Sequence, residues 1–83
     1  MYMYTYYSAP LGDAEELEKL LTAQEFIKSE DGHYKDRAQR IVRLGSSIIE
    51  VGILKSSLLE ELEQVEFVVS VLGLEIDDFQ KVV

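Results

Sequence analysis

The chain has no cysteine and only one histidine, His33, among its 83 residues. It can therefore form no disulfide, and a zinc site, which usually takes cysteine and histidine ligands, is not expected. Chains of this size bury only about 60–65% of the surface that they expose when unfolded, and commonly need disulfides, metals or oligomerisation. Oligomerisation is the one remedy left open, so we expect this chain to associate.

Proline and basic residues are also scarce. Proline occurs once and 47% of the residues are apolar, which is typical of a folded chain. Eight basic residues against 16 acidic ones give a net charge of −8, which opposes binding to nucleic acid or anionic membranes. No apolar run approaches the ~20 residues of a membrane span, and there is no signal-peptide pattern. We expect a soluble, cytoplasmic (intracellular) protein with no direct nucleic-acid or membrane partner.

Residues 1–12 differ in composition from the rest of the chain. Residues 1–7 are uncharged and β-prone, hold four of the five tyrosines, and are followed by Pro10 and Gly12. We predict an extended, tyrosine-rich arm in residues 1–12, outside a single helical domain in residues 13–83. Tyrosine gives a large contact area at low entropic cost, so Tyr2, Tyr4 and Tyr6 are candidate interface residues. A frayed chain end is the alternative.

The remainder of the sequence has helical periodicity. Asp13 has the spacing of an N-cap, and apolar residues at helical intervals predict a first helix that continues to Ile27. A central helix is predicted over residues 34–54, a third from residue 58 to a stop at Gly73, and a short fourth from Asp77. The predicted fold class is all-α: a three-helix antiparallel bundle with a short fourth C-terminal helix and an extended N-terminal arm.

The predicted central helix is apolar almost all round, so it must be covered from several directions. Each glycine inside a helix costs ~0.8–1 kcal/mol relative to alanine, which indicates a close approach by another helix backbone. That helix belongs either to the same chain or to a second copy, and a kink with no partner is the remaining alternative. The candidate interface on this seam and on the third helix comprises Ile41, Gly45, Ile48, Gly52 and Val69.

The charged residues suggest no catalytic group. Five basic residues cluster in the middle of the chain: His33, Lys35, Arg37, Arg40 and Arg43. We expect them to pair with the acidic flanking segments, with an anionic partner as the alternative. The acids of the first and third helices are interpreted as solvated faces, with a magnesium site as the alternative. We predict no catalytic, cofactor-binding or metal-ligating residues, and no cofactor.

The sequence therefore favours a non-enzymatic, acidic protein–protein interaction module that self-associates. Its expected partners are itself, as a homodimer or larger oligomer, and another protein, in an accessory or regulatory role. One alternative is an inhibitor of the viral or mobile-element type that mimics nucleic acid with rows of carboxylates. A second alternative is a metal-dependent nucleotide hydrolase of all-α type, which would need four carboxylates converging in one pocket.

Overall fold

A computed structural model describes residues 4–54 and 58–82. Within these ranges the chain forms one six-stranded antiparallel sheet and two α-helices, so the all-α bundle prediction is wrong. The sheet order is β2-β3-β4-β5-β1-β6. In chain order the elements are β1 (Tyr4–Pro10), α1 (Ala14–Ala23), β2 (Ile27–Lys28), β3 (His33–Lys35), β4 (Ile41–Leu44), β5 (Ile48–Leu54), α2 (Leu58–Val71), a 3₁₀ helix (Ile76–Asp78) and β6 (Gln80–Lys81).

The segment predicted as the central helix forms β3, β4 and β5. Alternate side chains of β5 are fully buried, as a strand requires: Ile49, Val51 and Ile53. β-Branched residues such as these favour strands because the branched side chain packs well on a pleated surface. Gly45 lies in the turn between β4 and β5, where its N–H donates to the carbonyl oxygen of Ile48 at 2.9 Å. That bond closes a hairpin where the helix was expected.

Residues 4–10 are an interior strand rather than an arm. β1 pairs along its whole length with β5, from Tyr4 opposite Leu54 to Pro10 opposite Ile48. On its other side it pairs with β6. The extended conformation was expected of these residues, but the partner strand was not. Tyr2 lies outside the described residues.

The first predicted helix is confirmed at its start and is shorter than expected. The Asp13 side chain accepts hydrogen bonds from the N–H groups of Glu15 and Glu16 and caps α1. The helix ends at Ala23. Glu25 adopts a left-handed conformation (φ 64°), and the N–H of Phe26 bonds to the Leu21 carbonyl oxygen at 3.0 Å. This is a Schellman ending with glutamate in the position where glycine is usual.

The predicted third helix is confirmed as α2, whereas the predicted fourth helix does not form. α2 spans Leu58–Val71 and ends in a Schellman motif with Gly73 at φ 69°. The N–H of Leu74 bonds to the Val69 carbonyl oxygen at 3.1 Å. A single 3₁₀ turn and β6 replace the predicted fourth helix. Within the described residues, no helix has the length and apolar character needed to cross a membrane.

Both helices pack on one face of the sheet, which we call the inner face. A single core joins buried side chains of α1 and α2 to alternate residues of the central strands. Helix residues in that core include Leu17, Leu21, Val65, Val68, Val69 and Leu72. The result is a two-layer domain in which neither α1 nor α2 covers the opposite side of the sheet.

Candidate functional site: the outer face of the sheet

The side of the sheet opposite the two helices is the candidate site, and we call it the outer face. Strand register places alternate residues of β1, β3, β4 and β5 there. They are Tyr4, Tyr6, Ser8, Pro10, His33, Lys35, Ile41, Arg43, Ile48, Glu50, Gly52 and Leu54. Apolar side chains of β1, β4 and β5 surround Gly52 toward one end of these strands, and Ile48 and Pro10 lie at the other end. A polar row lies between the two groups and consists of Ser8, Glu50, Arg43 and His33. A sheet face that met only water would be polar along these strands.

Tyr6 lies across Gly52 on the neighbouring strand. The two residues are paired in register, and a Cβ built on Gly52 would stand only 2.6 Å from Cε1 of the Tyr6 ring. The glycine therefore provides the space in which the ring lies flat on the sheet. Tyr4 continues the aromatic surface, with its ring centroid 6.1 Å from that of Tyr6. This arrangement buries Gly52 and fixes the Tyr6 ring against the backbone.

Arg43 connects the aromatic centre to the charged side of the outer face. Its Nη1 lies 3.2 Å from Glu50 Oε1 on β5, directly opposite in register. Its Nε donates to Nε2 of His33 on β3 at 3.0 Å. Its guanidinium carbon stands 5.6 Å from the centroid of the Tyr6 ring, within the range of a cation–π contact. Three strands thus hold one arginine in place.

His33 lies between Arg43 and the β2–β3 turn. Its Nδ1 is 3.9 Å from Oδ2 of Asp31, an exposed residue of that turn. The Ser29 hydroxyl donates to Asp31, and this bond is the main reason that the Asp31 pKa is held below its usual value. A backbone hydrogen bond and the proximity of His33 and Arg43 act in the same direction. The turn therefore presents an ionised carboxylate to the imidazole.

Five of the predicted interface residues lie together on the outer face: Tyr4, Tyr6, Ile41, Ile48 and Gly52. Ile48 is 46% exposed, whereas Ile41 is only 8% exposed. Gly45 lies beside them in the hairpin turn, and Val69 is part of the core on the other side of the sheet. Their expected grouping on a helical seam is wrong because the seam does not exist. The sheet nevertheless brings most of them to one surface.

Two of the five clustered basic residues, Arg40 and Arg43, pair within the middle of the chain instead of with the acidic helices. Arg40 Nε lies 2.7 Å from Asp36 Oδ2, and Arg43 pairs with Glu50. The Arg40 guanidinium also stacks on the ring of Phe67, 4.1 Å from its centroid. The predicted pairing with the flanking acids is therefore not the one that these two arginines make.

A second polar cluster lies on the inner face. The Tyr7 hydroxyl donates to Oε1 of Glu61 at 2.7 Å, and Lys81 Nζ lies 3.4 Å from the same oxygen. Glu61 is only 4% exposed. Burial, followed by the bond to Glu61 and its charge, raises the pKa of Tyr7 from 10.0 to about 12. Because donors on β1 and β6 meet this buried acid of α2, we assign the cluster a structural role.

The described residues contain no group of three or more His, Asp or Glu side chains placed to hold a metal ion. The four converging carboxylates that a metal-dependent hydrolase would need are thus not found in residues 4–54 and 58–82. That alternative was also tied to an all-α scaffold, which this β-rich domain does not supply.

Sequence reasoning missed how the outer face is assembled, although it noted several of its residues. His33 and Arg43 were grouped with Lys35, Arg37 and Arg40 in one basic cluster, and Glu50 and Leu54 were not associated with the site. The available signal was the two-residue spacing of Ile48, Glu50, Gly52 and Leu54, which in a strand puts all four on one side.

Searches of protein-family models, curated proteins and solved structures find no match to this chain. Its function therefore has to be argued from its own surface.

Proposed function

We propose that the chain is a non-enzymatic protein–protein interaction module that self-associates through the outer face of its sheet. The observation that carries the proposal is the apolar surface on a sheet face that neither helix covers. Tyr4, Tyr6 and Leu54 lie there around Gly52. Ile48, at the hairpin end of β5, is nearly half exposed on the same face. Aromatic residues with a polar edge are enriched at protein interfaces.

Charge distribution favours a second copy as the occupant. The two α-helices carry seven acidic residues and one basic residue, whereas the strands carry four basic residues and one acidic residue. The outer face itself holds Lys35 and Arg43 against Glu50. Two molecules of net charge −8 therefore meet the least repulsion when they approach through this face.

Face-to-face packing also separates the acidic layers. Layers of secondary structure pack ~10 Å apart, so a helix–sheet–sheet–helix arrangement would place the helical layers of the two copies ~30 Å apart. That distance is several times the Debye length of ~8 Å at physiological ionic strength. The acidic helices would then oppose association only weakly.

The positions of the charges also favour one orientation. A two-fold axis parallel to the strands would set β3 of one copy opposite β1 of the other, and β4 opposite β5. Lys35 would then face the tyrosines of β1, and Arg43 would face Glu50 of the second copy. A two-fold axis across the strands would set β3 on β3 and place like charges together. Contacts between opposite charges, as in the orientation with the axis parallel to the strands, fix the relative position of the two copies and disfavour other arrangements.

The size of the face predicts weak association. Strands spaced ~4.8 Å apart and rising ~3.3 Å per residue give a face on the order of 500 Å² per copy, because the edge strands are short. The total of about 1,000 Å² is at the lower limit for a specific interface. We therefore expect an equilibrium in the micromolar range or weaker, in keeping with an accessory or regulatory protein whose state depends on its concentration.

Sedimentation velocity over a wide concentration range tests the proposal. The wild-type chain should move from its monomer mass of 9.5 kDa toward twice that mass. Ile48→Lys should fold normally and remain monomeric, because it replaces the most exposed apolar side chain that β5 presents on the outer face with a charge. Leu62→Lys is the matched control. Leu62 is 43% exposed on α2 and Ile48 is 46% exposed on β5, and the change in charge is the same.

Two outcomes would contradict the proposal. The first is a wild-type chain that stays monomeric at the highest concentration. The second is that Leu62→Lys and Ile48→Lys weaken association equally, because the helical layer would then contribute as much as the sheet. The expected cytoplasmic location is also still a prediction, and fractionation of cells that express a tagged chain would test it.

A second candidate function is supported by the acids of the helical layer. Arg40 and Arg43 pair with Asp36 and Glu50, so the pairing expected to neutralise the helices is directed elsewhere. Glu63 and Glu66 are exposed on α2, on the side of the molecule opposite the outer face. Exposed carboxylates on the helical layer suit the nucleic-acid mimic, which would bind the basic surface of a DNA-binding protein.

Competition measurements test this second function. The chain should displace a labelled DNA duplex from a basic DNA-binding domain, and the double variant Glu63→Gln, Glu66→Gln should displace it less well. The effect should fall steeply with added salt. A chain that leaves the duplex bound at a large excess would contradict the mimic, and Ile48→Lys should not affect displacement if the helical layer is responsible.

A further inference from the structure

We infer that His33 makes association through the outer face dependent on pH: protonation of its imidazole releases Arg43 and weakens binding between copies. The inference rests on the proposed function, because it concerns regulation of the same face. The observation behind the inference is that the imidazole lies between Arg43 and Asp31.

The contact with Arg43 requires a neutral imidazole. Arginine is always protonated and has no acceptor, so Nε of Arg43 must be the donor in its 3.0 Å bond to His33 Nε2. A nitrogen that accepts this bond carries no proton. In this tautomer the ring proton is on Nδ1, which points toward Oδ2 of Asp31 at 3.9 Å.

The opposite contact favours the charged imidazole. Asp31 is an exposed carboxylate, and the bond from the Ser29 hydroxyl is the main contact that lowers its pKa. An imidazolium ion would gain an ion pair with Asp31 and lose the bond from Arg43. The two neighbours therefore stabilise different protonation states, and the proton decides which contact His33 keeps.

The remaining charges near His33 make protonation unfavourable for a closed interface. Lys35 is two residues away on the same strand and the same face, and Arg43 lies directly opposite on β4. Glu50 on β5 is already engaged with Arg43. A protonated His33 would thus add a third cation to a face with one carboxylate, while Asp31 stands outside it in the turn. In the orientation proposed above, His33 faces β1 of the second copy, and β1 has no carboxylate to neutralise an imidazolium.

The direction of the effect follows from proton linkage. A dimer that excludes a proton from each His33 binds fewer protons than two free monomers, so a fall in pH favours the monomers. Histidine side chains change charge between about pH 5 and 8. Exclusion of one proton per copy can change the dissociation constant by up to about ten-fold per copy for each pH unit. We expect association at pH ~5.5 to be weaker than at pH ~7.5 by on the order of ten-fold or more.

The overall charge of the chain predicts the opposite trend, which makes the test decisive. The sequence pI is about 4.5, so acidification toward that value reduces the net negative charge and the repulsion between copies. Without a specific switch, association should strengthen as the pH falls. Weakening in the same range requires a group that must stay neutral in the interface.

The experiment is sedimentation velocity on the full chain at both pH values, with wild type and His33→Gln. The glutamine amide oxygen can accept the bond from Arg43 and does not titrate. For His33→Gln, the dissociation constant at pH ~5.5 is compared with the value for the same variant at pH ~7.5. We expect its association to be no weaker at the lower pH. NMR of the wild-type imidazole gives a second readout, in which the tautomer with its proton on Nδ1 should be seen at pH ~7.5.

The outcomes separate this inference from the proposed function. Wild type that associates at pH ~7.5 and equally or more strongly at pH ~5.5 overturns the inference and leaves the proposed function standing. Wild type that is monomeric at both values overturns both. If His33→Gln weakens on acidification as wild type does, or if the imidazole carries its proton on Nε2 at pH ~7.5, the switch does not reside in the Arg43 contact.

Discussion

The packing of Tyr6 on Gly52 makes a sharp prediction about adding one methyl group. In Gly52→Ala the new Cβ would lie 2.6 Å from Cε1 and 3.0 Å from Cδ1 of the Tyr6 ring. Carbon atoms pack best at ~3.5–4.0 Å, so the ring must retreat by about 1 Å or rotate away from the strand. The substitution should therefore destabilise the fold, although alanine is ordinarily better than glycine inside a strand.

Two opposing terms set the size of this effect. Overpacking typically costs ~1–3 kcal/mol. Replacing glycine by alanine at a compatible position gains ~0.4–1 kcal/mol, chiefly because the unfolded chain loses freedom. The free energy of unfolding should thus fall by about 0.5–2 kcal/mol in Gly52→Ala. With Tyr6→Thr, which keeps a β-branched residue and removes the ring, the same methyl group should instead stabilise by up to ~1 kcal/mol.

A double-mutant cycle measured by urea unfolding, at a concentration where the chain is monomeric, isolates the contact. We expect a coupling free energy of about 1–3 kcal/mol between the two positions. Gly12→Ala is the control for an added Cβ, because a Cβ at that glycine meets nothing within 4 Å. Additive effects of Gly52→Ala and Tyr6→Thr would mean that the ring does not rest on the glycine, and would remove the basis for a rigid aromatic centre.

Two further predictions concern stability. Tyr7→Phe should cost ~1–2 kcal/mol by removing the donor to buried Glu61. Because the folded-state pKa of Tyr7 is about 12 against 10.0, its contribution is complete below pH 10 and is lost as the pH rises to about 12. Urea unfolding across this range should show a larger loss in wild type than in the variant, which keeps only the contribution of Tyr34, whose pKa is also raised by burial. Glu25→Gly should raise the free energy of unfolding by ~1 kcal/mol, because glycine adopts the left-handed conformation of position 25 without strain. Gly73→Ala, at the corresponding Schellman position of α2, should lower the free energy of unfolding by a similar amount. Equal melting temperatures for Glu25→Gly and wild type would contradict this account.

Helix-forming segments were recognisable from sequence because their local signals agree with one another. In α1 the cap, the acidic first turn and the apolar stripe all indicate a helix, and Asp13 caps it as expected. Only its end was misplaced, because the Schellman turn uses Glu25 where glycine would have marked the stop.

The error in the middle of the chain came from two overlapping periodicities. Ile41, Gly45, Ile48 and Gly52 alternate steps of four and three, which imitates a helical seam. In β4 and β5, Ile41, Ile48 and Gly52 also fit the two-residue period of strands, whereas Gly45 and the serines after it form the turn between the strands. The sequence alone could not decide between the helical and the strand period. The register of β5 is fixed by its pairing with β1, which lies more than 30 residues away. Once β5 was interpreted as helix, β1 had no visible partner and could only be taken for an arm.

The residues that concealed β5 are also those that argue for a partner. A central strand covered on one face by helices and on the other by water would alternate apolar and polar residues, and that alternation would have identified it. β5 instead places Ile48, Gly52 and Leu54 on the outer face, with Glu50 neutralised by Arg43. This is the pattern of a strand buried on both faces of the sheet, and α1 and α2 cover only one of the two faces. Tyr6 covers Gly52 from within the chain, but it does not cover Ile48. Substituting a polar residue at position 48 would bring the strand closer to a one-sided pattern, and for the same physical reason we expect it to yield a monomer.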